Sequence, residues 1–158
     1  MNRRYALTLL LTGAAVLSGC ASTNSEKLVG KYNIDPADPY AELKKYRSSV
    51  AMLTARLTLA YQNLFSIGEL YKEGPRGREI LDASLKDIKI LHGELGKYLQ
   101  RAAEVKQTIP TDQSRLLEAY ATYVRALSGV AAVDYGELNQ ERLDALVKAA
   151  SDMEPLIP

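Results

Sequence analysis

From Leu43 onward, apolar residues return every three or four positions. Leu43, Tyr46, Val50, Leu53, Leu57, Ala60, Leu64, Ile67 and Tyr71 alternate steps of three and four without a slip. That rhythm predicts one long helix with a coiled-coil-like seam. Asp38-Pro39 supplies its start, with Asp38 as N-cap and Pro39 at the first helical position. Met52, Leu59 and Phe65 lie off the seam, and Arg56 is the only charge between Ser48 and Gly68. A helix so apolar around its circumference is expected to be central and to touch more than one neighbour. Glu73-Gly74-Pro75-Arg76-Gly77 ends it. A second helix carries Leu81, Ser84, Ile88, Leu91, Leu95, Tyr98, Ala102, Val105 and Ile109 in the same rhythm, up to Pro110. Proline stops it there, having no N–H to donate and clashing with the preceding turn.

Two helices of matched length and a short loop predict an antiparallel hairpin. Facing residues should have numbers adding to 151 or 152, so that Leu64 meets Ile88 and Leu57 meets Leu95. Gly93 and Gly96 each cost ~1 kcal/mol of helix propensity against alanine. Close approach of a neighbouring helix is the expected compensation.

A third helix, capped by Thr111 or Asp112, carries Leu116, Leu117, Tyr120, Tyr123, Val124, Leu127, Val130 and Ala131. After a turn at Asp134-Tyr135-Gly136 comes a shorter fourth helix, near Asn139 to Met153. Its stripe is Leu143, Leu146, Val147, Ala150 and Met153. Asp82 with Lys86 and Asp144 with Lys148 are i,i+4 pairs of favourable orientation. No segment alternates with the strand period of two. The fold class is therefore all-α: residues 39–158 form an antiparallel helical bundle, built on a long hairpin plus two shorter helices. The third helix is too short to reach the hairpin's closed end, so the tip should be covered by two helices only. Leu70, Tyr71 and Leu81 lie there, rimmed by Lys72, Arg76 and Arg78. They are the candidate partner-binding residues, because an apolar patch with a polar rim marks an interaction site.

The first twenty residues follow another pattern. Arg3 and Arg4 precede an uncharged run from Ala6 to Leu17, shorter than the ~20 residues a bilayer span needs. Small residues then lead into Cys20, as in a cleaved secretory signal. Leu17-Ser18-Gly19-Cys20 resembles the lipobox of bacterial prolipoproteins. The resemblance rests on those four residues and their leader. It implies a diacylglyceryl group on the Cys20 sulfur, cleavage between Gly19 and Cys20, and acylation of the new amine. Two or more acyl chains anchor stably, at ~0.8 kcal/mol per buried CH₂. Residues 1–19 are then the signal peptide and 20–38 a tether. Asp35-Pro36 and Asp38-Pro39 keep that tether extended or turned. In the resemblance to enterobacterial lipoproteins, Ala21 rather than Asp permits transfer to the outer membrane.

Composition narrows the chemistry. Loss of residues 1–19 leaves 18 basic against 19 acidic residues. There is no basic excess of the kind nucleic acid or an anionic bilayer would select. Cys20 is the only cysteine, so the mature chain is expected to have no disulfide and no free thiol. His92 is the only histidine, which excludes paired Glu-x-x-His di-iron motifs and makes zinc and haem sites poor candidates. It is expected to be half-buried and bonded to a neighbour. Arg56 should lay its stem on apolar surface with its head in water. Ten tyrosines stand against one phenylalanine and no tryptophan, which suits the margins of a bundle core or an interface.

The expected function is non-enzymatic, with no catalytic residue, metal or cofactor. The chain reads as a lipid-anchored, periplasm-facing envelope factor that binds a protein partner. In general shape it looks like the small helical lipoproteins that assist secretins and other envelope machines. The alternative is a carrier of lipid or haem in a cavity lined by Met52, Leu59, Tyr61 and Phe65.

Overall fold

The computed structural model describes residues 37–70 and 74–158, with 67–70 described by their backbone. Four helices follow in order: α1 (Ala41–Leu70), α2 (Pro75–Lys106), α3 (Ser114–Ala131) and α4 (Gln140–Met153). Short 3-10 turns lie at Tyr135–Glu137 and Glu154–Leu156. No strand occurs among the described residues, and the chain is an all-α helical bundle. The α1–α2 hairpin is its most extensive contact. The pairs α3–α4, α2–α3 and α1–α4 then close the four helices into a ring.

The seams form the core. Leu43, Tyr46, Val50, Leu53 and Leu57 of α1 are buried against Ile88, Leu91, Leu95, Ala102 and Val105 of α2 and against the inner faces of α3 and α4. Four side chains fix the register between helices. Tyr46 donates to the Tyr98 carbonyl at 2.7 Å and Tyr120 to the Ala102 carbonyl at 2.7 Å. His92 Nε2 lies 3.0 Å from the Val130 carbonyl oxygen. Arg142 Nη1 donates to the Gly129 carbonyl at 3.0 Å, satisfying an orphan acceptor in the last turn of α3. Arg47 pairs with Glu154 at 2.9 Å. The half-buried Leu156 and Ile157 fold back on the core.

Several boundaries differ from the expectation. Helix α1 begins at Ala41 rather than at Pro39, and Asp38 lies in the turn before it, its side chain accepting from the Tyr40 N–H and its carbonyl from the Ala41 N–H. Gly74 and Pro75 start α2 rather than merely ending α1. Pro75 stands at the first helical position, where its missing N–H costs nothing. Helix α2 stops at Lys106, and Gln107, Thr108 and Ile109 bond to carbonyls three residues back. Ile109 precedes a proline and so avoids helical geometry, yet its side chain remains buried. Neither Thr111 nor Asp112 caps α3. Gln113 donates to the Pro110 carbonyl at 3.1 Å, so those residues form a turn and the N-cap position falls to Gln113. Asn139 caps α4 through the Arg142 N–H.

The stripe on α4 is rotated. Val147 is 55 % exposed, while Ala149 is buried in its place, and Leu138 joins the core from the preceding loop. Lys148 pairs with Asp152 rather than Asp144, and Asp144 accepts from Gln140. Helix α1 occupies a corner of the ring: it touches α2 and α4, and Met52, Leu59 and Phe65 remain 59 % exposed. Gly93 and Gly96 are not close-approach sites. A Cβ at either would have nothing within 4 Å.

Candidate functional site

The hydrogen bond between His92 and Val130 marks how far α3 climbs beside α2. Helix α3 ends one residue later, at Ala131. The Tyr135–Glu137 turn adds one further contact there, with Lys89 Nζ lying 4.9 Å from the Tyr135 ring centre. On the other arm, α4 starts at Gln140. That residue shares a shallow depression with Tyr61, Gln62, Phe65 and Ser66 of α1. Towards the closed end, α2 continues about four turns beyond Lys89 and α1 about one turn beyond Ser66. The seam thins accordingly: Leu64, Leu81 and Ser84 are half-buried, and Leu85, off the seam, is exposed. Of the candidate partner-binding residues, Leu81 sits on this half-buried seam. The Leu70 backbone ends α1, whereas the Leu70 side chain and Tyr71 lie outside the described residues. Gly19 and Cys20 lie outside them too.

Two grooves run along the bundle. The first follows the outer face of the hairpin. Leu53, Arg56, Leu59, Ala60 and Asn63 of α1 line it opposite Glu94, Leu91, Ile90, Asp87 and Ser84 of α2, enclosing about 300 Å³. Ala60 and Leu91, a predicted facing pair, share its floor. Arg56 is exposed and lies across the groove from acidic residues of α2; Glu94 itself bonds to Lys97 at 2.5 Å. Leu59 and Ile90 stand on opposite walls. Sequence reasoning missed this groove. Its signal was Arg56, Leu59 and Asn63, three and four residues apart and therefore on one helix face.

The second groove lies between α1 and α4. Val50, Ala51, Thr54, Ala55, Tyr123, Leu146, Val147 and Ala150 line about 210 Å³. That is below the ~300–1,000 Å³ of most small-molecule sites. Met52, Leu59 and Phe65, which a ligand cavity was expected to enclose, lie on the outside of the molecule.

A tyrosine cluster fills the centre of the four-helix section. The Tyr46 ring lies 5.6 Å from Tyr98 and 6.4 Å from both Tyr120 and Tyr123, centroid to centroid. Burial pushes the Tyr46 phenol up to about 12, opposed by the neighbouring Tyr120 hydroxyl and by Arg101. Burial drives Tyr120 and Tyr123 higher still, with the other phenols adding to it. These hydroxyls stay protonated at physiological pH and cannot serve as bases. The Tyr123 hydroxyl is buried with no hydrogen-bond partner among the described residues.

Among the described residues, no group of three or more His, Cys, Asp or Glu side chains could hold a metal ion. No helix among them is long and apolar enough to cross a membrane. Comparison with protein families, curated proteins and solved structures found no match to this chain.

Proposed function

We propose that this chain is a lipid-anchored protein of the cell envelope that binds a protein partner and catalyses no reaction. Acyl chains on Cys20 hold it at the outer membrane, and the bundle faces the periplasm. The anchor rests on Leu17-Ser18-Gly19-Cys20 and its basic, then apolar leader. The observation that carries the binding role is the two-helix tip. A hairpin that outruns α3 and α4 keeps Leu81 only half-buried and Leu85 exposed, at the end opposite the tether. Solvated apolar surface of that kind gains free energy when a partner covers it. Leu70, Tyr71 and Leu81 are the docking residues in this reading.

Two variants test it. Cys20→Ser should abolish acyl labelling and release the protein from membranes; labelling that persists refutes the anchor. Tyr71→Glu with Leu81→Glu should keep the helical circular dichroism and membrane attachment while losing the partner crosslinked in intact cells. A folded double variant that retains its partner rules out the tip.

A further inference from the structure

We infer that the outer groove of the α1–α2 hairpin binds a second copy of this chain, with the two hairpins parallel about a two-fold axis along their length. The groove is built for self-recognition rather than for a general apolar partner. Its walls carry Leu59 and Ile90, which are 59 % and 53 % exposed, above a floor of Leu53, Ala60 and Leu91. Arg56 stands on the α1 wall and Asp87 and Glu94 on the α2 wall. Asp87 and Glu94 lie at nearly equal distances on either side of Ile90 and Leu91.

An isologous dimer brings the same patch of both copies together, so the patch must complement itself. Two face-to-face arrangements of the hairpins are simple. With the axis across the hairpin, α1 meets α1 and α2 meets α2, running in opposite directions. Asp87 then falls opposite Glu94 of the second copy, and that like-charge approach opposes association. With the axis along the hairpin, α1 of each copy meets α2 of the other at the same height. Arg56 then falls opposite Glu94 of the second copy, and the Asn63 amide can donate to Asp87 of the second copy. Leu59 and Ile90 of both copies meet in the middle. Around the axis the charges alternate: Arg56, Glu94, Arg56, Glu94.

The size is adequate. Two helices ~18 Å wide over the ~27 Å from Ser49 to Ser66 give about 500 Å² on each copy. The total of about 1,000 Å² is near the lower limit for a specific interface. Both tethers also emerge at one end of such a dimer, as two copies anchored in one membrane require. That last argument alone rests on the proposed lipid anchor.

Cysteine crosslinking tests the arrangement in the full chain. One form with Leu59→Cys and a second, differently tagged form with Ile90→Cys are co-expressed and oxidised in intact cells. The parent chain, whose sole cysteine is Cys20, sets the background. A disulfide-linked species carrying both tags is expected, well above either form alone. Arg56→Glu in both forms should lower its yield about tenfold, and Arg56→Glu with Glu94→Arg should restore it. A Leu59→Cys form that links mainly to itself would show antiparallel packing and overturn the proposal. Linkage of either cysteine only to a different protein, or no adduct while both forms remain at parental levels with parental helicity, overturns it as well. Acyl labelling is read in the same cells: an adduct without label leaves the dimer standing and removes the anchor, and the converse does the opposite.

Discussion

The lower part of the hairpin and its tip carry the same seam but differ in what surrounds it. Around Leu57 and Leu95 four helices meet, and both residues are fully buried. Further on, Leu64, about two turns beyond Leu57, and Leu81, about four turns beyond Leu95, continue the two seams and are only half-buried. The 3-4 rhythm gives each helix an apolar stripe but does not say how many neighbours will cover it. That number follows from the lengths of α3 and α4, which stop at Ala131 and begin at Gln140.

The sharpest way to break this comparison is to truncate one side chain in each region. Leu95→Ala should cost about 2–5 kcal/mol in urea unfolding, because it leaves a cavity in close-packed surroundings. Leu81→Ala on the half-buried tip seam should cost only about 1 kcal/mol, since less of that side chain is withdrawn from water. Equal losses would mean the tip is as well covered as the centre.

Alkaline pH probes only the four-helix section. A folded-state phenol raised from 10.0 to about 12, as for Tyr46, keeps its proton after the unfolded chain has lost one. The unfolded state then binds fewer protons, so stability falls as pH rises above 10. The contribution is complete below pH 10 and is lost towards pH 12. At ~1.4 kcal/mol per unit, Tyr46 alone accounts for roughly 2–3 kcal/mol. Unfolding free energies measured from pH 9 to 12 should show this slope, and Tyr46→Phe should make it shallower, with Tyr120 and Tyr123 supplying the remainder. A tip residue such as Leu85 should not alter it.

Within the same cluster, two hydroxyls are opposed. Tyr120 donates to the Ala102 carbonyl, so Tyr120→Phe should lose about 1 kcal/mol. Tyr123 has no partner among the described residues, and Tyr123→Phe should be neutral or stabilising by up to about 1 kcal/mol. Thermal unfolding of the two variants side by side separates them. If both lose equally, Tyr123 has a hydrogen bond that the geometry does not reveal.

The smallest effect concerns the outer side of α2. A Cβ at Gly93 or Gly96 meets nothing within 4 Å. Gly93→Ala and Gly96→Ala should each raise stability by about 0.5–1 kcal/mol, through helix propensity and unfolded-state entropy. A loss on either substitution would reveal a neighbour pressed against that face, and the second copy is the nearest candidate for one.

Sequence by itself determined the four helices, the antiparallel hairpin and the partner-bonded state of His92. Each of these is set by local chemistry or by the period of apolar residues, which a single chain displays directly. Boundaries near proline were less legible. Pro75 can open a helix as readily as follow one, and the turn after Pro110 moved the start of α3 to Ser114. Only the tertiary structure decided which off-stripe residues were covered. Met52, Leu59, Phe65 and Val147 look no different in sequence from residues that a fifth element would bury. They are exposed because a ring of four helices presents only its inner faces to the core, and α1 stands at a corner of that ring. For the same reason, the outer groove emerged only once α1 and α2 stood side by side. Arg56 belongs to α1 and Asp87 and Glu94 to α2, and their opposition is a property of register rather than of spacing along the chain.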